Sequence, residues 1–322
     1  MFKNKHGELR GGWGVLLGFL ALQFSTVVAN FLLGLALVVY AMRDGQPLRV
    51  EAAQNLLETS PGMQMFGSIL SVMCSVGATL LLFKLLYKRP LRHMGLAGPR
   101  APGAAKDLLL GCGLGLAAIS AAAGVLLLGG GVVEYVNFKA LTEPRFWVWL
   151  LLFVAVAFNE ELFTRGLLMT VMKTTRSKAT VLLVPAAVFA LMHLGNPAYS
   201  WLPALNIFLV GLVFGAFFLR TGQLWLPIGF HFAWNFFQGN FWGLEVSGLA
   251  TPSLLKTRFT GPAWLTGGAF GAEGGVAVTA VCLVLLAVAW FAWPKRTAPA
   301  WSLGSDLPMT RHKKVAKPVE EA

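Results

Sequence analysis

Charge is scarce in this chain. Only 12% of its 322 residues are Asp, Glu, Lys or Arg, against roughly 25% in a soluble domain. That scarcity excludes a cytosolic enzyme, a disordered chain and a coiled coil with charged flanks. Cysteine is scarcer still. Cys74, Cys112 and Cys282 each sit inside an apolar stretch, with no CxxC and no Cys/His cluster, so they read as small hydrophobes packing between helices. Acidic residues number 14 against 26 Lys and Arg, a net charge of +12. In a soluble protein such an excess would suggest nucleic acid, but no basic stretch here is interleaved with stacking aromatics, so nucleic acid is rejected as a partner. A phosphate cradle is also missing. The longest outer loop, 241–272, runs into Trp264-Leu-Thr-Gly-Gly-Ala-Phe-Gly-Ala-Glu273-Gly-Gly without the GK[ST] that a phosphate loop needs. It reads as a turn-rich, membrane-hugging loop.

What the chain has is apolar length. Residues of the A, V, I, L, M, F, W, Y, C set make up 56% of it, and the mean hydropathy is +0.67. Apolar runs recur along the whole sequence, which predicts an all-α, polytopic membrane helix bundle with any active site inside it. Eight spans are expected, at about 13–42, 63–87, 107–132, 146–172, 179–195, 200–219, 223–240 and 273–293. Each reaches or approaches the ~20 residues needed to cross a ~30 Å hydrocarbon core. The first span follows Lys3, Lys5 and Arg10 like a signal peptide, but its apolar run continues to Met42. A signal peptide's apolar region is only about 7–15 residues long, so a retained first helix is expected.

The loops alternate in charge. Lys84, Lys88, Arg89, Arg92, Arg100 and Lys106 flank the second span, Lys173, Arg176 and Lys178 follow the fourth, Arg220 the sixth, and Lys295 and Arg296 the eighth. The loop after the first span is mixed: Arg43 and Arg49 with Asp44, Glu51 and Glu58. The positive-inside rule then puts both termini in the cytoplasm. Residues 1–294 read as one integral membrane domain with neither internal repeat nor second domain. Residues 295–322, ending in Lys313, Lys314, Lys317, Glu320 and Glu321, read as a basic, disordered cytoplasmic tail able to touch anionic headgroups.

Ionisable residues inside the membrane are costly and default to a functional hypothesis. Few occur here: Glu160, Glu161 and Arg165 in the fourth span, His193 in the fifth and His231 in the seventh, with Asn159, Asn206 and Asn235 as amide companions. On an ideal helix Glu161 and Arg165 are about 40° apart and can pair, while Glu160 lies about 100° from Glu161 and about 140° from Arg165. Glu160 is therefore the chemically available carboxylate; a single structural charge cluster is the competing reading. His193 alone could be an interhelical donor. His231 and Asn235 are four residues apart and face one way, as a catalytic pair or as a packing pair. Counting 1.5 Å per residue from the cytoplasmic helix ends, Glu160 lies about 18 Å deep, His193 about 21 Å and His231 about 12 Å. This is one layer from mid-membrane to the cytoplasmic half. Such a set can activate water and stabilise an oxyanion, and Glu/His/His can also bind zinc.

Glu160-Glu161-x-x-x-Arg165, Phe189-x-x-x-His193 and His231-x-x-x-Asn235 resemble, in order and on separate spans, the three signature motifs of the CPBP family. These are the CAAX protease and bacteriocin-processing (Abi) intramembrane proteases, which include the type II CAAX prenyl endopeptidase. His193-Leu-Gly-Asn-Pro197 and Leu226-Pro-Ile-Gly-Phe-His231 add to the likeness, which is strong over about 145–275. The resemblance implies an intramembrane endopeptidase of a bacterial inner membrane, acting on a membrane-embedded, lipidated or bacteriocin-type substrate. It implies Glu160 as the base that activates water, His193 as its helper, His231 and Asn235 as the oxyanion hole, and Glu161 and Arg165 in support. A zinc or other divalent ion, if used, would fall to Glu160, His193 and His231. HExxH is absent, and with Glu160 as a ligand no second acid would remain as base, so water activation without a metal is the favoured reading. The competing classes are a transporter, which would call for broken helices and inverted repeats, and a catalytically silent immunity or scaffold protein, which would call for a lost motif residue. Neither feature is present in the sequence.

Overall fold

Apolar runs of this length form helices because lipid offers no partner for backbone N–H and C=O groups. The computed structural model describes residues 2–3, 9–43, 55–56, 59–175, 177–295 and 301. Among them are eight helices of twelve or more residues, one in each expected span. They are α1 (Gly11–Arg43), α2 (Pro61–Tyr87), α3 (Ala104–Leu128), α4 (Pro144–Glu161), α5 (Lys178–Met192), α6 (Trp201–Thr221), α7 (Trp225–Phe236) and α8 (Val276–Ala287). A π-helical segment, Leu162–Leu168, and a last turn, Met169–Met172, carry α4 onward. Shorter π turns extend α7 over Phe237–Phe241 and α8 over Val288–Ala292. Five helices are long and apolar enough to cross a membrane by themselves: α1, α2, α3, α6 and the extended α4. The protein is a polytopic, all-α membrane bundle.

Local chemistry sets several ends. Ser60 caps α2 by accepting from the Met63 amide at 3.4 Å, with Pro61 in the first turn. Ser177 caps α5 in the same way through Thr180 at 3.3 Å. Gly222 ends α6 in the left-handed conformation at φ 65°.

The tightest packing is between α3 and α7, and glycine makes it. A Cβ on Gly111 would sit 2.2 Å from the Leu226 carbonyl oxygen, one on Gly115 2.3 Å from that of Phe230, and one on Gly229 2.2 Å from that of Leu108. Backbone meets backbone along this seam, as small residues permit in membrane helices. The seam fixes α7, the helix that carries His231 and Asn235.

Successive helices reverse direction. The loops 88–103, 173–177 and 222–224 share one face, and 129–143, 193–200 and 242–275 share the other. On the second face lies the only sheet among the described residues, an antiparallel ribbon of β1 (Val132–Val136) and β2 (Leu255–Arg258) with a bulge between Val133 and Tyr135. Both described ends meet the first face: Gly11 packs by Met172, and Trp301 donates from its indole nitrogen to Thr170 at 2.9 Å. The Trp301 ring is fully buried, 4.8 Å from Phe218 and 4.8 Å from the Lys173 ammonium. The rest of the expected tail, 296–300 and 302–322, lies outside the described residues, as do Lys5, Asp44, Arg49, Glu51, Glu58 and Arg176 of the charge argument.

Candidate active site

Glu160 and Glu161 close the regular part of α4, and the wider π turn begins at Leu162. Such turns are rare and concentrate at functional sites. Arg165 lies within this one, its side chain 1% exposed, and it is fully engaged. One guanidinium nitrogen donates to Glu161 Oε1 at 2.9 Å and to Thr164 Oγ1 at 2.7 Å; the other donates to the Gly211 carbonyl on α6 at 2.9 Å. Two rings cover the cation, Phe189 at 4.5 Å and Phe214 at 5.0 Å.

The same two rings frame the histidines. Phe214 stacks on His231 at 5.2 Å, and Phe189 meets the edges of His231 at 6.0 Å and His193 at 5.0 Å. His193 caps the end of α5, where its Nδ1 lies 2.8 Å from the Phe189 carbonyl. Just beyond, the Tyr199 hydroxyl donates to the Ala190 carbonyl at 2.9 Å, and burial pushes that phenol above its ordinary range.

Glu161 also receives His231, whose Nδ1 is 3.1 Å from Glu161 Oε1. A carboxylate accepts, so Nδ1 carries the proton. Nε2 of the same ring faces Glu160, 3.8 Å from Oε2. That Glu160 oxygen is buried with no hydrogen-bond partner among the described residues. The two adjacent glutamates thus differ: Glu161 Oε1 is hydrogen-bonded to Arg165 and His231, whereas Glu160 Oε2 faces the other nitrogen of His231 without a hydrogen bond. Glu160, His193, His231 and Asn235 line one cavity of about 290 Å³. Glu160, Ser68 and Asn196 also border a more polar groove between α1 and α2.

The depth of this cavity differs from expectation. It reaches Asn196, Ser247, Leu249 and Glu273, and so opens toward the face opposite the basic loops, away from the half first expected. α5 stops at Met192, with His193 at its far end. At the opposite end of the bundle the Gly95 carbonyl accepts from the Leu224 amide at 3.0 Å, just before α7 begins. The outer loop differs as well. Its glycine-rich part does not spread along a surface but folds inward, burying Phe270, Ala272, Glu273 and Gly274.

A three-ligand metal site needs three donors converging on one point. Among the described residues no three His, Cys, Asp or Glu side chains do so. Glu160, His193 and His231 share a cavity, but the His193 ring is turned onto Phe189 and Glu161 is committed elsewhere.

Sequence reasoning missed Phe214, Ser247 and Glu273 at this site. Phe214 is one of 24 phenylalanines and carries no motif. Glu273 was visible as a carboxylate among glycines, but its direction depends on loop conformation. Asn206, an expected amide companion, lies outside the cavity lining and donates to the Glu273 and Gly275 carbonyls at 2.7 and 2.9 Å.

Fold and site together define a helical integral membrane protein with a buried carboxylate–imidazole centre. Residues 142–237 match the family model of the type II CAAX prenyl endopeptidase Rce1-like proteins, a stretch that holds every residue of the three motifs. Over that stretch the chain is similar to this protease family. No curated protein and no solved structure matches it significantly.

Proposed function

We propose that this protein is an intramembrane endopeptidase that hydrolyses a peptide bond with water activated by Glu160. The observation that carries the reading is the 3.8 Å separation of Glu160 Oε2 and His231 Nε2 in a buried cavity. That gap is too long for a direct hydrogen bond and suits one bridging water. Glu160 takes a proton from the water, and the hydroxide adds to the scissile carbonyl carbon. The oxyanion accepts from Asn235 Nδ2 and from Nε2–H of a protonated His231 held through Nδ1 by Glu161. When the intermediate collapses, the C–N bond breaks and Glu160 returns its proton to the leaving amine. His193, on the cavity wall, helps position the water. Glu161 and Arg165 support the site by fixing His231 and the π turn.

The substrate is a membrane-embedded or lipidated peptide that enters the cavity from within the bilayer or from its far face. The family match and the many large apolar side chains on the outer surface of the bundle favour this class over a soluble peptide. The protein belongs to a bacterial inner membrane with its basic face and both termini in the cytoplasm, by the positive-inside rule. The test is cleavage of a membrane-inserted reporter peptide by the purified protein, with Glu160→Gln as its control.

A further inference from the structure

Two segments, α7 and the loop at Ser247, converge on one buried side chain outside the three motifs. Glu273 lines the same cavity as Glu160, His193, His231 and Asn235. Its Oε1 accepts from the Trp234 indole at 3.2 Å, and its Oε2 accepts from the Ser247 amide at 2.8 Å and the Ser247 hydroxyl at 2.9 Å. Its carbonyl oxygen is held by Asn206 of α6 at 2.7 Å, and Asn206 in turn accepts from Thr279 of α8 at 2.6 Å.

The glycines around it have a job in this arrangement. A Cβ on Gly267 (φ 86°) would stand 1.7 Å from the Gly271 carbonyl oxygen, and one on Gly271 (φ 90°) 1.8 Å from that of Glu245. Only glycine allows the coil to fold back and drive Glu273 into the bundle. Ser247, at the other end of the contact, has φ 50°, a left-handed conformation that a non-glycine residue holds only when its surroundings fix it. The double hydrogen bond to Glu273 is that fixing. Gly248 follows, so close to Pro197 that a Cβ would be 2.4 Å from the Pro197 carbonyl oxygen, which ties the lip to the loop after His193.

Trp234 precedes Asn235 on α7 and stacks on Phe230 at 5.8 Å. The indole's hydrogen bond to Glu273 therefore holds the turn of α7 that carries Asn235, a residue of the cavity lining. We propose that Glu273 is a positioning residue of this site, setting the direction of Asn235 through Trp234 and holding the Ser247 lip through its second oxygen. The proposal rests on the proteolytic reading and extends it to a residue beyond the matched 142–237 stretch.

The experiment compares full-length wild type, Glu273→Gln, Trp234→Phe, Ser247→Ala, Asn235→Ala and the Glu273→Gln/Asn235→Ala double variant in detergent micelles. One arm measures kcat and KM on the membrane-inserted reporter peptide, normalised to folded protein. The other records side-chain amide and indole ¹⁵N–¹H resonances without substrate, with Asn235 and Trp234 assigned from their own variants. The expected result is a kcat at least tenfold lower in Glu273→Gln with KM within twofold, displaced Trp234 and Asn235 resonances, and little further loss on adding Glu273→Gln to Asn235→Ala. Should Glu273→Gln not fold, Trp234→Phe and Ser247→Ala, which each remove one of its bonds, must give a smaller loss of the same kind. An Asn235 resonance that stays put in the folded variants overturns the proposal whatever the cleavage assay gives. So does a multiplicative loss in the double variant. A wild type that cleaves nothing overturns the proteolytic reading instead, and the resonances still decide whether Glu273 sets Asn235.

Discussion

The Glu161 carboxylate holds His231 through Nδ1 at 3.1 Å, and so determines that Nε2 is the nitrogen facing Glu160. Two glutamates adjacent in sequence thereby act on opposite nitrogens of one imidazole. Their substitutions should differ in kind. Glu161→Gln strands a fully buried Arg165 and loosens His231, a loss on the order of 3–5 kcal/mol for breaking a buried pair, visible as a lower melting temperature. Glu160→Gln should melt like the wild type, because the altered oxygen has no hydrogen bond to lose. Equal destabilisation by both would contradict the division.

Glycine packing between α3 and α7 gives a prediction of opposite signs on one helix. Gly111→Ala places a methyl 2.2 Å from the Leu226 carbonyl oxygen and should cost about 1–3 kcal/mol or more through overpacking. Gly113→Ala meets nothing within 4 Å and should be neutral or stabilise by up to about 1 kcal/mol through helix propensity. Thermal unfolding in one detergent separates them. A Gly111→Ala variant as stable as Gly113→Ala would mean that the two helices do not touch there.

Orientation is open to reporter fusions. Fusions at Met1, in the 173–177 loop and at Ala322 should report the cytoplasm, and one in the 249–254 stretch the opposite side. A periplasmic readout from the first three would turn the cavity mouth toward the cytoplasm.

Much of this fold was legible because lipid imposes so simple a rule. Apolar runs had to be helices, and all eight expected spans contain one. The motif side chains stood out because an ionisable residue in an apolar run is rare. What remained hidden depends on loop and terminal geometry. The face toward which the cavity opens depends on the loop residues Asn196, Ser247 and Leu249, which carry no strong pattern in the sequence. Glu273 lay in plain view, yet positive-φ glycines permit an inward coil as readily as a surface turn. Phe214 was indistinguishable from a lipid-facing ring until α6 was placed against Arg165 and His231.

The metal question has its own measurement. If Glu160 is the base, activity should persist within twofold after phenanthroline treatment, and purified protein should carry well under one equivalent of zinc. Stoichiometric zinc, with activity lost to the chelator and restored by add-back, would make Glu160, His193 and His231 ligands and leave the base unassigned.

The most direct test of the central claim is a single-turnover cleavage assay on a membrane-inserted reporter peptide, run side by side with wild type and Glu160→Gln at matched melting temperature. The account predicts cleavage at one bond by the wild type and a rate at least a hundredfold lower for Glu160→Gln, the scale of a lost general base. Comparable cleavage by both proteins would contradict it, because the oxygen facing His231 across 3.8 Å would then have no part in the chemistry.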